Sequence, residues 1–357
     1  MTARILIMAG GTGGHVFPAL AVADELSAQG HMVAWIGTLK GIEAKLVPAS
    51  NYPLNTISVQ GLRGNGVLGW ILAPLKLLKA VGEAITIINK FKPDVVLGLG
   101  GFASGPGGVA AKLLGKPLVI HEQNAIPGLT NRALSIIANR VLEGFPQSFK
   151  ATKQAQWVGN PVRKAIEQLR SPTQRFSERN TVIRVLVLGG SLGAKSLNTL
   201  LPQAFSKITT AIEIKHQCGP KHLDDCQKNY TNAKVDAQVT AFIDSMADAY
   251  EWADLVICRA GALTIAELTA AGVGSLLVPY PYAVDDHQTH NAQTLVNANA
   301  AIIMQESELS VESITKVIAE LVSKRDGLLN MAEKARSLVK IGTAKQIAGI
   351  CLEVTHG

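Results

Sequence analysis

At 357 residues the chain exceeds the size at which one hydrophobic core keeps growing, so two domains are the default. It is 47% hydrophobic, has a mean hydropathy of +0.21, is only 5% aromatic and holds 33 glycines, the mixture that buried parallel α/β sheets use. The net charge of +7 suits an anionic membrane surface or phosphate-bearing ligands; without an RNP-like aromatic motif, a zinc finger or an Arg/Lys-dense stripe, nucleic acid is set aside.

Arg4 to Met8 is a short apolar run that breaks into Gly10-Gly11-Thr12-Gly13-Gly14, and helical spacing is predicted from about Pro18 to Ala28. A second strand is predicted over Met32 to Ile36, ending on Gly37 and Thr38. Leu68 to Ile88 places Trp70, Ile71, Leu72, Leu75, Leu78, Val81 and Ile85 at roughly helical spacing, with Lys76, Lys79 and Lys90 alongside. Pro74 and the charges exclude a membrane span, so this is read as an amphipathic helix, either packed on the sheet, the commoner fate of such a pattern, or lying on an anionic membrane surface. Asp94 to Leu97 runs into Gly98-Leu99-Gly100-Gly101, and Pro117 to Ile120 into His121-Glu122-Gln123-Asn124; such continuous apolar runs read as strands covered on both faces.

Gly159-Asn160-Pro161 looks like a hinge turn, and Arg170 to Thr181 like a polar, solvated connection. Arg184-Val185-Leu186-Val187-Leu188 then opens the second half and breaks into Gly189-Gly190-Ser191-Leu192-Gly193-Ala194, the Arg4 motif shifted by 180 (184 − 4). Asp254 to Ile257 runs into Arg259-Ala260-Gly261, and Ser275 to Val278 into Pro279. Ile314, Val317, Ile318 and Leu321 form a helical face behind Ser310, a candidate cap. Ala344 to Val354 is a last amphipathic helix, expected to cross back onto the first domain. The repeated strand–glycine loop–helix unit predicts an α/β protein of two Rossmann-like parallel-sheet domains facing across a cleft.

The four cysteines, Cys218, Cys226, Cys258 and Cys351, lack metal spacing and are read as free thiols in a reducing compartment. The first apolar run is too short for a signal peptide core, which leaves a cytosolic chain.

Three chemistries compete for the glycine loops. A dinucleotide oxidoreductase would need glycine where Val16 stands and an acid where the second strand ends on Gly37. A P-loop NTPase would need glycine at Ala194 and an aspartate ending a strand, whereas Asp94 and Asp254 begin theirs. A nucleotide-sugar transferase needs neither, only backbone N–H groups and a helix N-terminus aimed at a diphosphate.

Six ordered segments spanning nearly the whole chain resemble one family: Gly10 to His15, Gly100-Gly101-Phe102-Ala103-Ser104-Gly105-Pro106-Gly107-Gly108, His121 to Asn124, Gly159-Asn160-Pro161-Val162-Arg163, Gly189 to Ala194, and Cys258 to Glu267. They are similar to the MurG family of peptidoglycan N-acetylglucosaminyltransferases, glycosyltransferase family 28. The resemblance implies a GT-B fold with an acceptor domain over 1–161, to which 341–357 returns, and a UDP-GlcNAc domain over 162–340. It implies inverting transfer of GlcNAc to the 4-hydroxyl of MurNAc in undecaprenyl-pyrophosphoryl-MurNAc-pentapeptide, at the cytoplasmic face of the membrane. No metal or cofactor is expected, and other cell-wall synthesis proteins are candidate partners.

Such a displacement needs one general base and strong stabilisation of departing UDP. His15 is the favoured base, ending the first glycine loop where an imidazole titrates near neutral pH; the bland alternative is a histidine bracing that loop. His121 and Glu122 are the second choice, although neighbours on an extended chain point opposite ways. Thr12, Gly13 and Gly14 join His15 on the acceptor side, while Ser191 and the amides after it suit a diphosphate. Ala262, Leu263, Thr264, Ile265 and Ala266 open a helix with its N-terminus towards the same charge. The family match puts Glu267 on the ribose, Arg163 and the backbone near Ile243 on uridine, and Asn124 and Gln288 on the GlcNAc hydroxyls. Asp285-Asp286-His287 with His290 is read as a sugar-side loop rather than a metal site. The family commonly has Gln where Leu192 stands and Tyr where Phe102 stands, so those two side-chain contacts are lost. A UDP-GlcNAc 2-epimerase and a non-catalytic UDP-sugar sensor are the rival readings.

Overall fold

A computed structural model describes residues 2–59, 73–149, 154–179, 182–190, 193–282 and 284–355. The chain divides into two compact units, Met1–Arg163 with Gly342–Gly357, and Lys164–Ile341.

The first unit is built on a parallel sheet in the order β3-β2-β1-β4-β5-β6-β7. Its strands are β1 (Arg4–Met8), β2 (Met32–Gly37), β3 (Leu54–Thr56), β4 (Val95–Gly98), β5 (Leu118–Glu122), β6 (Arg140–Glu143) and β7 (Gln156–Trp157). Leu6 pairs with Ala34 on one side and Val96 on the other, so β1 is central and apolar on both faces. One face packs on the helices Gly13–Ala28 and Thr343–Glu353; Ile347, Ala348 and Cys351 share a core with Ile5, Val16 and Leu26. The other face packs on the helix Ala73–Phe91, through Ala80, Val81, Ala84 and Ile88, and on the helix Ser104–Leu113.

The second unit repeats the plan with β8 (Ile183–Leu188), β9 (Ile212–Gln217), β10 (Gln238–Thr240), β11 (Leu255–Cys258), β12 (Gly274–Leu277) and β13 (Ala301–Ile303). The parallel order β10-β9-β8-β11-β12-β13 has the same switch point, here between β8 and β11 rather than between β1 and β4. In open α/β sheets ligands bind beyond the carboxyl ends of the strands at such a reversal.

Two sequence expectations change. The first helix begins at Gly13, not near Pro18, so the last glycines of the loop are its first turn. Much of the stretch expected as a solvated connection is packed: Pro172–Ser177 is a helix closed by a Ser171–Gln174 capping box, and Arg175 within it is fully buried. The Arg175 guanidinium donates to the carbonyls of Ala271 and Gly272, the last turn and C-cap of the helix Ala262–Ala271, where cations are favoured. A polar run looks like a linker when its arginines cap helices from inside. Ser310 does cap the helix Val311–Ser323, its hydroxyl accepting from Ser313 N at 3.0 Å. All four cysteines are free and buried.

Candidate active site

In the first unit, the loops leaving β1 and β4 meet at the switch point. Gly101 (φ +83°) lies so close to the Gly10 carbonyl that a side-chain carbon has no room. The ring of His15, in the first helical turn, lies against Gly100, where an added carbon would meet it at 3.0–3.1 Å. Thr12 is the N-cap residue, and its hydroxyl is 3.5 Å from His15 Nδ1. Gly13 and Gly14 begin the helix, so their amides belong to its open N-terminal turn. The pair of loops is secured from below: Ser104 Oγ bonds the carbonyls of Met8 and Gly100 at 2.9 and 2.7 Å, and Trp35 Nε1 donates to Ala9 O at 2.8 Å.

His121 and Glu122, the second choice for the base, are both enclosed and hydrogen-bonded within the protein. His121 is fully buried; its Nε2–H donates to Gly159 O at 2.8 Å and its Nδ1 accepts from Gln123 at 2.9 Å. Burial pushes its pKa down to about 4, partly opposed by the bond to the Gly159 carbonyl. Glu122 is equally enclosed. One oxygen accepts from Asn124 N and Nδ2, the other from Gly128 N and Asn131 Nδ2, all at 2.9–3.1 Å. The pair braces the strand end and aligns Asn124. Asn160 Nδ2 donates to Gln123 O in the same network, which ties the expected hinge turn into this unit. Arg163 lies with its guanidinium 5.4 Å from the Phe17 ring.

In the second unit the β8 loop carries Gly189, Gly190, Gly193 and Ala194; Ser191 and Leu192 lie outside the described residues. Across the switch point, Gly261 is the N-cap of the helix Ala262–Ala271, with neither a side-chain cap nor an acid in its first turn. Ala262, Leu263 and Thr264 therefore form an uncapped helix end with positive dipole character. Ile265 is buried, Ala266 half-buried, and Glu267 lies one turn further in, 5% exposed, accepting from Tyr250 OH at 3.1 Å. Gln288 Oε1 accepts from Ala260 N at 3.2 Å and Tyr280 N at 2.9 Å, so its side chain links the β11 and β12 loops. Ile243 is half-buried in the segment between β10 and the helix Met246–Trp252. Asp285 and Asp286 hold left-handed φ values of +52° and +50° ahead of the helix His287–Asn297. Among the described residues no cluster of His, Cys, Asp or Glu could hold a metal.

Comparison with known proteins matches residues 5–143 to the glycosyltransferase family 28 N-terminal domain and residues 184–348 to the family 28 C-terminal domain. The chain belongs to glycosyltransferase family 28. A relative from Nitrosococcus oceani, named UDP-N-acetylglucosamine–N-acetylmuramyl-(pentapeptide) pyrophosphoryl-undecaprenol N-acetylglucosamine transferase, is 51% identical over 100% of both chains. A relative of the same name from Cellvibrio japonicus is 52% identical over 100% of this chain and 99% of its own. The crystal structure of Acinetobacter baumannii MurG superposes with a TM-score of 0.86 at 41% identity, covering 98% of this chain and 99% of that one. The glycotransferase of kitacinnamycin, with a TM-score of 0.75 at 17% identity, shares the fold.

In this glycosyltransferase, several residues that shape the loops escaped the sequence reading. Glu43 is fully buried beneath the first loop: one carboxylate oxygen accepts from Gly11 N at 2.9 Å, the other from Thr38 N and Oγ1 at 2.9 and 2.7 Å. The only sequence trace is that Gly10, Gly37 and Gly41 all surround it with no space for a side chain. Arg259, inside a recognised motif but given no role there, donates to Val278 O, Pro279 O and Ser196 Oγ and pairs with Glu306.

Proposed function

We propose that this enzyme transfers N-acetylglucosamine from UDP-N-acetylglucosamine to the 4-hydroxyl of MurNAc in undecaprenyl-pyrophosphoryl-MurNAc-pentapeptide, inverting the anomeric carbon, as a step of peptidoglycan synthesis. The observation that carries this reading is the end-to-end match, at 51% identity, to a transferase named for that donor and acceptor. The two switch-point sites agree with it. The second unit offers the diphosphate an uncapped helix N-terminus at Ala262–Thr264 and the ribose a buried carboxylate at Glu267. Ser191 belongs to the same diphosphate set, the Ile243 backbone and Arg163 to the uridine, and Asn124 and Gln288 to the sugar hydroxyls. With its carbonyl oxygen already engaged, Gln288 turns its amide N–H groups to that task.

The acceptor belongs to the first unit, at Thr12, Gly13, Gly14 and His15. There the His15 imidazole takes the proton of the 4-hydroxyl as its oxygen attacks C1 of GlcNAc. The C1–O bond to the β-phosphate breaks, and UDP leaves with the electron pair, its added charge met by the helix N-terminus.

A membrane-borne acceptor also gives a use to an unusual surface. The first turns of the helix Ala73–Phe91 expose Leu75 (65%), Leu77 and Leu78 (68%) interspersed with Lys76 and Lys79, while its later turns are packed. Leu113, at the end of the helix Ser104–Leu113 packed beside it, is also exposed, as are Leu129 and Ile136 later in the chain. Leucines for the acyl boundary and lysines for anionic headgroups make a peripheral membrane face on the cytoplasmic side. Trp70, Ile71 and Leu72, expected in the same helix, lie outside the described residues, and no described helix is long and apolar enough to cross a membrane.

The test supplies UDP-GlcNAc labelled in the sugar, with and without a lipid-linked MurNAc acceptor, and follows label into the lipid phase. Acceptor-dependent lipid labelling is expected. Donor consumption without it points to the epimerase, and UDP-GlcNAc binding without turnover to the sensor; either result removes the transferase.

A further inference from the structure

Gln217 closes β9 beside the third glycine loop and is almost fully buried. Its backbone carbonyl accepts from Gly189 N at 2.8 Å. Its side-chain oxygen accepts from Gly190 N at 3.0 Å, and its amide nitrogen donates to Gly190 O at 3.1 Å and to Ala241 O at 3.0 Å. One residue thus fastens the start of the β8 loop on one side and, on the other, a backbone position two residues before Ile243. The requirement is narrow. The group must present one acceptor and two N–H donors from a single planar centre, without charge, and among side chains of this reach only a primary amide does so. The contrast with the first unit is chemical: there the equivalent loop is held by the Glu43 carboxylate, whose two oxygens only accept, from Gly11 N on one side and Thr38 on the other.

We propose that Gln217 is a positioning residue of the donor site, setting the spacing between the loop that meets the diphosphate and the loop that meets the base, so that the two ends of the nucleotide are read together. This rests on the assignment of UDP to the second unit. Gln217 touches no ligand itself; removing its side chain frees both loops at once, and the two contributions to affinity fall together.

The experiment titrates uridine, UMP and UDP calorimetrically into full-length wild type, Gln217→Ala, Gln217→Glu, Thr264→Ala and Glu267→Ala. For Gln217→Ala, UDP affinity is expected to fall about tenfold or more, the weakening already present for uridine and growing as phosphates are added. Thr264→Ala should lose only the phosphate increment. Gln217→Glu gives a signature that a merely structural role would not produce. Ionised, it opposes the Gly190 and Ala241 carbonyls; protonated, it regains a donor. Its UDP affinity relative to wild type at each pH should therefore rise as pH is lowered from 7.5 to 5. Overturning results are UDP affinity in Gln217→Ala within twofold of wild type, a loss confined to the phosphate increment, or a Gln217→Glu ratio flat with pH. Should Gln217→Ala fail to fold, the pH-dependent ratio in Gln217→Glu decides alone. Wild-type UDP affinity in Glu267→Ala removes the donor assignment itself; with Glu267→Ala weakened and Gln217→Ala unaffected, only the Gln217 proposal falls.

Discussion

His15 and His121 show how residues of one type, each near the end of a strand, part company through their surroundings. The His15 ring is half-buried against Gly100 in the first turn of a helix, whereas His121 is walled in with a partner on each nitrogen. Replacing His15 with alanine is expected to lower kcat by about 10²–10⁴-fold, the usual worth of a general base, while UDP affinity measured by calorimetry stays within about twofold. Unchanged turnover would move the base elsewhere. Glu43 gives a contrasting case. Its glutamine variant keeps the shape but turns one of the two acceptor oxygens into an N–H donor, so either Gly11 N or Thr38 N loses its acceptor. We expect it to lose about 1–3 kcal/mol of stability in urea unfolding, the cost of unsatisfied buried donors. Two buried histidines set the acid limit. In the fold His121 gains a proton only near pH 4 and His216, held between Asn198 and Tyr230, only near pH 3. In an unfolded chain each titrates near 6.5. Their contribution is complete above about pH 6.5, and below it the unfolded chain binds more protons, so stability falls by up to about 1.4 kcal/mol per pH unit for each ring down to about pH 4. Thermal midpoints recorded from pH 7 to pH 4 should decline accordingly, less steeply in a His216→Asn variant that still folds.

At the scale of single elements, the strands were the most legible part of the sequence. Continuous apolar runs such as Val95–Leu97 and Leu255–Ile257 mark strands because a strand buried on both faces has no other composition open to it. The glycine loops were legible for a related reason: close backbone approach excludes side chains. The braces beneath them were not, because nothing local marks a lone glutamate after Gly41 or a glutamine at the end of β9 as a loop anchor; the loop glycines they hold are 32 and 27 residues away. The helix Pro172–Ser177 escaped for the opposite reason, Arg175 and the flanking Arg170 and Arg179 resembling solvated charge. The helix Ala73–Phe91 divides along its length, packed late and bare early. Reversing charge at Lys76 and Lys79 is expected to weaken binding to anionic vesicles about thirtyfold or more, at about 1 kcal/mol per lysine near the surface, without altering turnover of a soluble, short-chain acceptor. Equal partitioning of variant and wild type in a flotation assay would return these turns to an ordinary surface role.

Across the whole molecule, one strand order is used twice and the ends of the chain share a unit. The order 3-2-1-4-5-6, extended by a seventh strand in the first unit, puts a glycine loop and a helix N-terminus at each reversal, so the same architecture recurs with the bracing and the loop side chains changed. The helix Thr343–Glu353 buries Ile347 fully in the core of the first unit. Ile347→Ala is expected to cost about 2–4 kcal/mol in urea unfolding of that unit, with UDP binding by the second unit retained.

That last helix has a bearing on how the protein is made. A ribosome delivers the first unit's sheet early, yet the apolar side chains that close one of its faces arrive only after the entire second unit has been translated. Through that interval Val16, Leu26 and their neighbours wait beside an uncovered surface, the circumstance in which nascent chains recruit chaperones or stick to one another. A ribosome-stalled chain ending after Ile341 should therefore bind a hydrophobic dye that the released full-length protein does not.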